Sequence, residues 1–212
     1  MHSKSVFLFA GLLLAAVLSL FTYGGTSRAA RPDPAPIRLL AGTFTPAAGE
    51  TPNIPPGLTI AGYAVGTRGY YIVQFAGPVE EVWKSQVIAN GGELLDYLPD
   101  FAFKVRMNPA EAARIAELDT VAWVGLFQPA FKISPSINAD GLNLLQVRVE
   151  RGANAGQTQV AIARSGATVL DRSGDLLIVG ATAEQVVAIA QVLDVAWIEP
   201  YVLPEKHNEY GA

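Results

Sequence analysis

The 212-residue sequence contains no cysteine. Disulfides and thiolate metal sites are therefore excluded. Histidine is nearly absent: there is His2 near one end and His207 near the other. No stretch pairs two histidines at i, i+4, so a clustered metal centre is not expected. Neither a Gly-x-Gly-x-x-Gly run nor a P-loop lysine is present, so no nucleotide pocket or other cofactor is expected. Charged residues make up only 16%, with a net charge of −4, which leaves no basic footprint for nucleic acid. What is abundant is apolar: half the residues are hydrophobic, the composition of a packed core and not of a disordered chain. The length suits one or two domains.

The N-terminus has its own logic. Lys4 precedes an apolar run from Val6 to Phe21, VFLFAGLLLAAVLSLF, and Ser27-Arg28-Ala29 follows as a small-x-small site. Residues 1–29 read as a signal peptide, the run being short for a membrane span; an uncleaved anchor is the alternative. Either way the remainder is expected outside the cytoplasm, secreted or in the cell envelope. With no cysteine there, stability must come from packing. Residues 30–69 carry Pro32, Pro34, Pro36, Pro46, Pro52, Pro55 and Pro56 among Gly, Thr and Ala. Proline removes backbone donors and enforces extended geometry, so this segment is expected to be a linker or a loosely ordered arm.

Beyond it the chain repeats itself. Val121-Ala122-Trp123 recurs as Val195-Ala196-Trp197, 74 positions later. At that shift Val73 falls on Val147, Ile88 on Ile162, Gly92 on Gly166, Val105 on Val179 and Ile115 on Ile189. Pattern agrees better than identity. Tyr71, Val73, Phe75 and Leu145, Val147, Val149 alternate like half-buried strands. Val79, Val82, Trp83 and Val87 follow at helical spacing, stopped by Gly91-Gly92; the second copy stops at Gly166. Two strands are expected next, Glu93–Leu98 and Phe101–Met107, broken at Pro99-Asp100 and, in the second copy, at Ser173-Gly174. Asn108-x-x-Glu111 and Thr182-x-x-Gln185 then have capping-box spacing, Pro109 suiting a helix start. The Val-Ala-Trp phrase is the last strand of each copy.

The order β-α-β-β-α-β predicts an α+β protein of two tandem ferredoxin-like modules, each an antiparallel sheet with two helices on one face. Module 1 spans 70–129 and module 2 spans 144–205. Residues 130–143 link them, and 206–212 form a tail. Each copy is about 60 residues, near the lower limit for an independent core. Trp123 and Trp197 are expected on or beside their sheets, although a direct partner contact is the other reading.

Catalytic groups are hard to find. Glu80, Glu81, Glu93, Asp96 and Asp100 fall on predicted helix faces and turns, where solvation is the default. Gly25-Thr26-Ser27-Arg28-Ala29 looks like the stretch around the serine of subtilisin-like proteases, but it ends the export signal and has no aspartate or histidine partner motif. The chain is expected not to be an enzyme.

The opening strand YYIVQF, the Val-x-x-Ile-Ala of Val186–Ala190 and above all VAWIEP at 195–200 carry a resemblance. Over Tyr70–Pro129 and Leu144–Glu205, each copy resembles the N-terminal prodomain, of peptidase inhibitor I9 type, of secreted subtilisin-like serine proteases (peptidase S8). VAWVGLFQP is a degenerate form of the same ending, with Gly125 where the second copy has Glu199. The resemblance implies a propeptide that templates folding of its protease and inhibits it. The partner is then a subtilisin-like catalytic domain, in cis or in trans, and that domain is not in this chain. The open sheet face would pack on the protease. Glu199 or Glu205 would sit at the N-termini of its helices, which attract anions. Tyr201, Val202, Leu203, Pro204, Glu205, Lys206 and His207 would lie along its cleft. Near a processing site His207 would sense pH; as an ordinary tail residue it would not. A precursor fragment, a free-standing inhibitor and a separately encoded catalytic part all fit. Two rivals remain: a secreted α+β interaction module with an unknown envelope partner, and a small-ligand domain, since this fold hosts many functions.

Overall fold

Leu145, Val147 and Val149 are buried, while Leu144, Gln146 and Arg148 between them are not. Alternation of this kind makes a strand with one face in a core. The computed structural model of the chain describes residues 35–202. In order it contains β1 (Ile37–Leu39), β2 (Gly42–Phe44), β3 (Gly69–Phe75), α1 (Glu81–Ala89), β4 (Glu93–Leu98), β5 (Ala102–Met107), α2 (Pro109–Ala116) and β6 (Val121–Leu126). Then come β7 (Leu142–Val149), α3 (Ala155–Arg164), β8 (Thr168–Ser173), β9 (Leu176–Thr182), α4 (Ala183–Gln191) and β10 (Val195–Pro200). Short 3-10 turns lie at Pro46–Ala48 and Pro129–Lys132.

The protein is α+β, with three antiparallel sheets among the described residues. β1 pairs β2; one four-stranded sheet runs β4-β5-β3-β6 and the other β10-β7-β9-β8. In both larger sheets the first and third strands of the β-α-β-β-α-β run are central, and the second and fourth are edges.

Local chemistry sets the boundaries. α2 begins with a reciprocal cap: Asn108 Oδ1 accepts from Glu111 N at 2.9 Å, and Asn108 N donates to Glu111 Oε2 at 2.7 Å. Thr182 and Gln185 do the same for α4. Two otherwise orphaned N–H groups are satisfied at each start. Gly91 and Gly166, just past α1 and α3, have φ of 97° and 86°, where a side chain is penalised. The Val-Ala-Trp phrase has a geometric meaning. Gln74 pairs with Trp123 and Phe75 with Val121; Arg148 pairs with Trp197 and Val149 with Val195. Ala122 and Ala196 are thus the extra residues of a β-bulge that both copies carry.

Three apolar clusters form the interior. Tyr71, Val73 and Phe75 pack with Val87, Val105, Met107 and Ile115, beneath α1 and α2. Leu145, Val147, Leu177 and Val179 pack with Ile162, Val186 and Ile189, beneath α3 and α4. The third cluster lies on the other side of the first sheet: Tyr70 and Ile72 meet Ile37 and Phe44 of the arm, with Phe127 and Phe131. All seven residues of β3 are therefore buried, where alternation predicts one face.

The arm is the physical reason, and it departs from the expected loose linker. Ile37 is fully buried and Phe44 nearly so. Each contributes about 1.5–3 kcal/mol if its side chain is fully removed from water. Further along, Ile60 N donates to Gln128 Oε1 at 2.7 Å, and Ala130 N to Leu58 O at 3.1 Å. Proline restricts the backbone here without preventing it from packing.

The two larger sheets meet at a polar seam. Tyr70 Oη donates to Asp194 Oδ1 at 2.7 Å, and Arg151 Nη2 to Leu95 O at 2.6 Å. Lys104 on β5 forms an ion pair with Glu150, just past β7, both buried. Buried Lys132 donates to Val192 O at 2.9 Å and Leu193 O at 3.3 Å.

Burial pushes the Lys132 ammonium down to about 8, against the opposing pull of Asp194. Lys104, its cationic neighbour, is lowered too, by burial first and the Lys132 charge second, while the Asp96 carboxylate acts against this. Between about pH 8 and the ordinary lysine value near 10.4, the unfolded chain binds more protons than the folded one, so stability rises with pH. Tyr70 has the opposite sign. Burial and then its bond to Asp194 raise its pKa. Unfolded tyrosine ionises near pH 10 while the folded group keeps its proton, so stability falls beyond that point. Denaturant midpoints across pH 7–11 should therefore peak at about pH 10. Lys132→Met should flatten the rising limb; a steady decline from pH 7 would contradict this.

Candidate functional site

The second sheet turns one face to α3 and α4 and leaves much of the other open. On that outer face Leu144 lies opposite Gly180, Gln146 opposite Ile178 and Arg148 opposite Leu176. Across the other ladder Gln146 faces Glu199 and Arg148 faces Trp197. β8 adds Thr168 beside Gly180 and Asp171 beside Ile178. Leu144 is 43% exposed and Leu142 at its rim 77%. The result is a mixed surface, with an apolar centre and polar groups toward β10.

Glu199 is held in place. Its Oε1 accepts from Gln146 Nε2 at 3.3 Å and its Oε2 from Trp197 Nε1 at 3.1 Å. The carboxylate is only half-buried, and neither neighbour carries a compensating charge. It is a positioned anion on an open surface. Pairing continues one residue past β10, where Tyr201 N donates to Leu144 O at 2.9 Å. Val202 is exposed. Of the other residues singled out by sequence, Leu203, Pro204, Glu205, Lys206 and His207 lie outside the described residues. The structure thus brings Glu199 and Tyr201 to one sheet edge. Gln146 and Arg148 were missed, although their place as the polar members of the β7 alternation was the available signal.

The first sheet uses the same phrase differently. The Trp123 indole lies across Gly125, where a Cβ would fall 2.1 Å from the ring. It meets Phe44 of the arm edge-on, with centroids 5.9 Å apart. The glycine at the position of Glu199 is therefore what lets the tryptophan lie flat beneath the arm. Gly125→Glu should expel the indole, cost about 2–3 kcal/mol through overpacking and a poorly solvated carboxylate, and open residues 35–50 to limited proteolysis. Unchanged protease resistance would argue against this role for Gly125.

Among the described residues, no group of three or more His, Asp or Glu side chains could hold a metal ion. In comparisons with known proteins, a family described as "Domain of unknown function (DUF8729)" matches residues 38–128. That span starts in β1 and ends just past β6, so it takes the arm and the first larger sheet together. No curated protein and no solved structure matches the chain.

Proposed function

We propose that the chain is an exported, non-catalytic protein of two ferredoxin-like modules. It binds and inhibits a secreted subtilisin-like serine protease, and assists its folding, as the propeptide part of such a protease precursor. The β-α-β-β-α-β order in both halves, with the first and third strands central, supports the ferredoxin-like assignment. One observation carries the functional reading: the outer sheet face is covered by the arm in module 1, whereas in module 2 the arm reaches only the side at Arg148 and Trp197 and leaves Leu142 and Leu144 exposed. Module 2, whose last strand leads into the tail, is then the binding module, and module 1 its stabilising partner.

The open face suits such a partner chemically. Its apolar centre offers burial, and Glu199 presents a fixed carboxylate to donors such as the free N–H groups at a helix N-terminus. Residues 201–207 would follow the cleft in extended form. The test is inhibition of a subtilisin-like protease, preferably one encoded by the same or a neighbouring gene, by the purified segment Pro32–Ala212. Tight inhibition that fades as the segment is digested is expected. No inhibition of the cognate enzyme would sink the protease reading and leave an α+β interaction module with another partner.

A further inference from the structure

Where the arm, β4 and the outer face of β7 and β10 come together, the protein forms a half-open cavity of about 440 Å³. Leu39, Leu98, Phe127, Phe131 and Trp197 give it apolar walls. The charged groups reaching it are unequal in sign: Arg38, Lys104 and Arg148 against Asp96. A concave apolar site with a few placed polar groups is the usual form of a small-molecule site.

The charges differ in what they are already doing. Arg38 is engaged by Asp100 at 2.6 Å. Lys104 is 3% exposed, contacts Glu150, and holds its ammonium 4.1 Å from the Phe127 ring centroid. Asp96 acts on Lys104, whose charge it favours. Arg148 is exposed and has no ion-pair partner among the described residues. A guanidinium with unused donors beside an apolar wall selects a planar anion on an apolar body. Trp197 is fixed by its bond to Glu199, so its indole is a preset wall of the cavity.

We propose that this cavity binds a small amphipathic carboxylate, with its aliphatic or aromatic body against Phe127, Phe131 and Trp197 and its carboxylate on Arg148. No part of this depends on the protease reading.

The test uses the Pro32–Ala212 segment, which belongs to one compact unit. Octanoate and naphthalene-2-carboxylate are titrated by calorimetry and tryptophan fluorescence, with octylammonium and octanol as charge controls. Saturable one-site binding of at least one carboxylate is expected, with octylammonium weaker by about tenfold or more. Arg148→Gln should lose about tenfold or more for the carboxylate while octanol is unaffected, with an unchanged unfolding midpoint confirming the fold. The proposal is overturned if neither carboxylate saturates, if octylammonium binds as well as octanoate, or if Arg148→Gln binds the carboxylate like the parent.

Discussion

Glu150→Ala is expected to lower stability by about 3–5 kcal/mol, the cost of leaving a buried charge without its partner. Lys104 and Glu150 are 3% exposed each; one lies on the first larger sheet and the other just past β7 of the second. Glu150 Oε1 has no hydrogen bond of ordinary geometry, so the Lys104 charge is what answers it. Without the carboxylate, Lys104 keeps the Phe127 and Tyr70 rings, at 4.1 and 5.1 Å from their centroids, and the more distant pull of Asp96. Those contacts are worth about 0.5–2 kcal/mol each, too little to offset desolvation of an ammonium. The folded chain then keeps a charged lysine at a penalty or releases the proton, and either route costs stability near neutral pH. Replacing both members, Lys104→Met with Glu150→Leu, should recover most of the loss, because a buried pair stabilises little over an apolar pair of similar volume. Urea denaturation of the two single variants and the double variant measures this. A single-variant loss under about 1 kcal/mol would mean that water reaches the pair.

The second large effect concerns inhibition. Ending the chain after Pro200 should weaken inhibition of a subtilisin-like protease by about two orders of magnitude while moving the unfolding midpoint little. The asymmetry follows from what each part contacts. β10 keeps Val195 and Ile198 in the core, and among the described residues truncation removes one backbone hydrogen bond, from Tyr201 to Leu144. Residues from Tyr201 onward would account for the cleft contacts, and the sheet face with Glu199 would supply only residual affinity. If truncated and complete proteins inhibit alike, the cleft-blocking role is wrong, and the sheet face alone would carry whatever binding exists.

Much of the secondary structure was legible because local signals and burial agree. The glycine stops, both capping boxes and the alternation of β7 are short-range patterns, and each sits where its spacing predicts. The arm was hidden for the opposite reason. Its strands have three residues each, too few for alternation to register, and proline dominates the surrounding composition. Ile37, Leu39, Leu40 and Phe44 were the hint, as large apolar residues in a segment otherwise rich in Pro, Gly and Thr. Burial of both faces of β3 follows from that arm, so it too was illegible. The candidate site was half visible. VAWIEP pointed to Glu199 and Tyr201, but the Gln146 bond and the open cavity beside Arg148 depend on strands and segments far apart in sequence. Nor does Lys104 announce itself, since its partner lies 46 positions away across the seam.

Two runs of the same topology, with bulges at the same alanines, invite a folding error: the terminal strand of one sheet could be captured by the other. Tandem repeats are prone to such misassembly. The difference between Gly125 and Glu199 works against it. β10 inserted in place of β6 would carry Glu199 beneath the arm, against Phe44 and away from Gln146, leaving it the indole of its own Trp197 as a donor. β6 in place of β10 would bring no acid for Gln146 to bond and would strip Trp123 of its aromatic cover. One glycine-for-glutamate difference within a twice-written phrase thus labels each strand with its own sheet and keeps the nascent chain from threading itself wrongly.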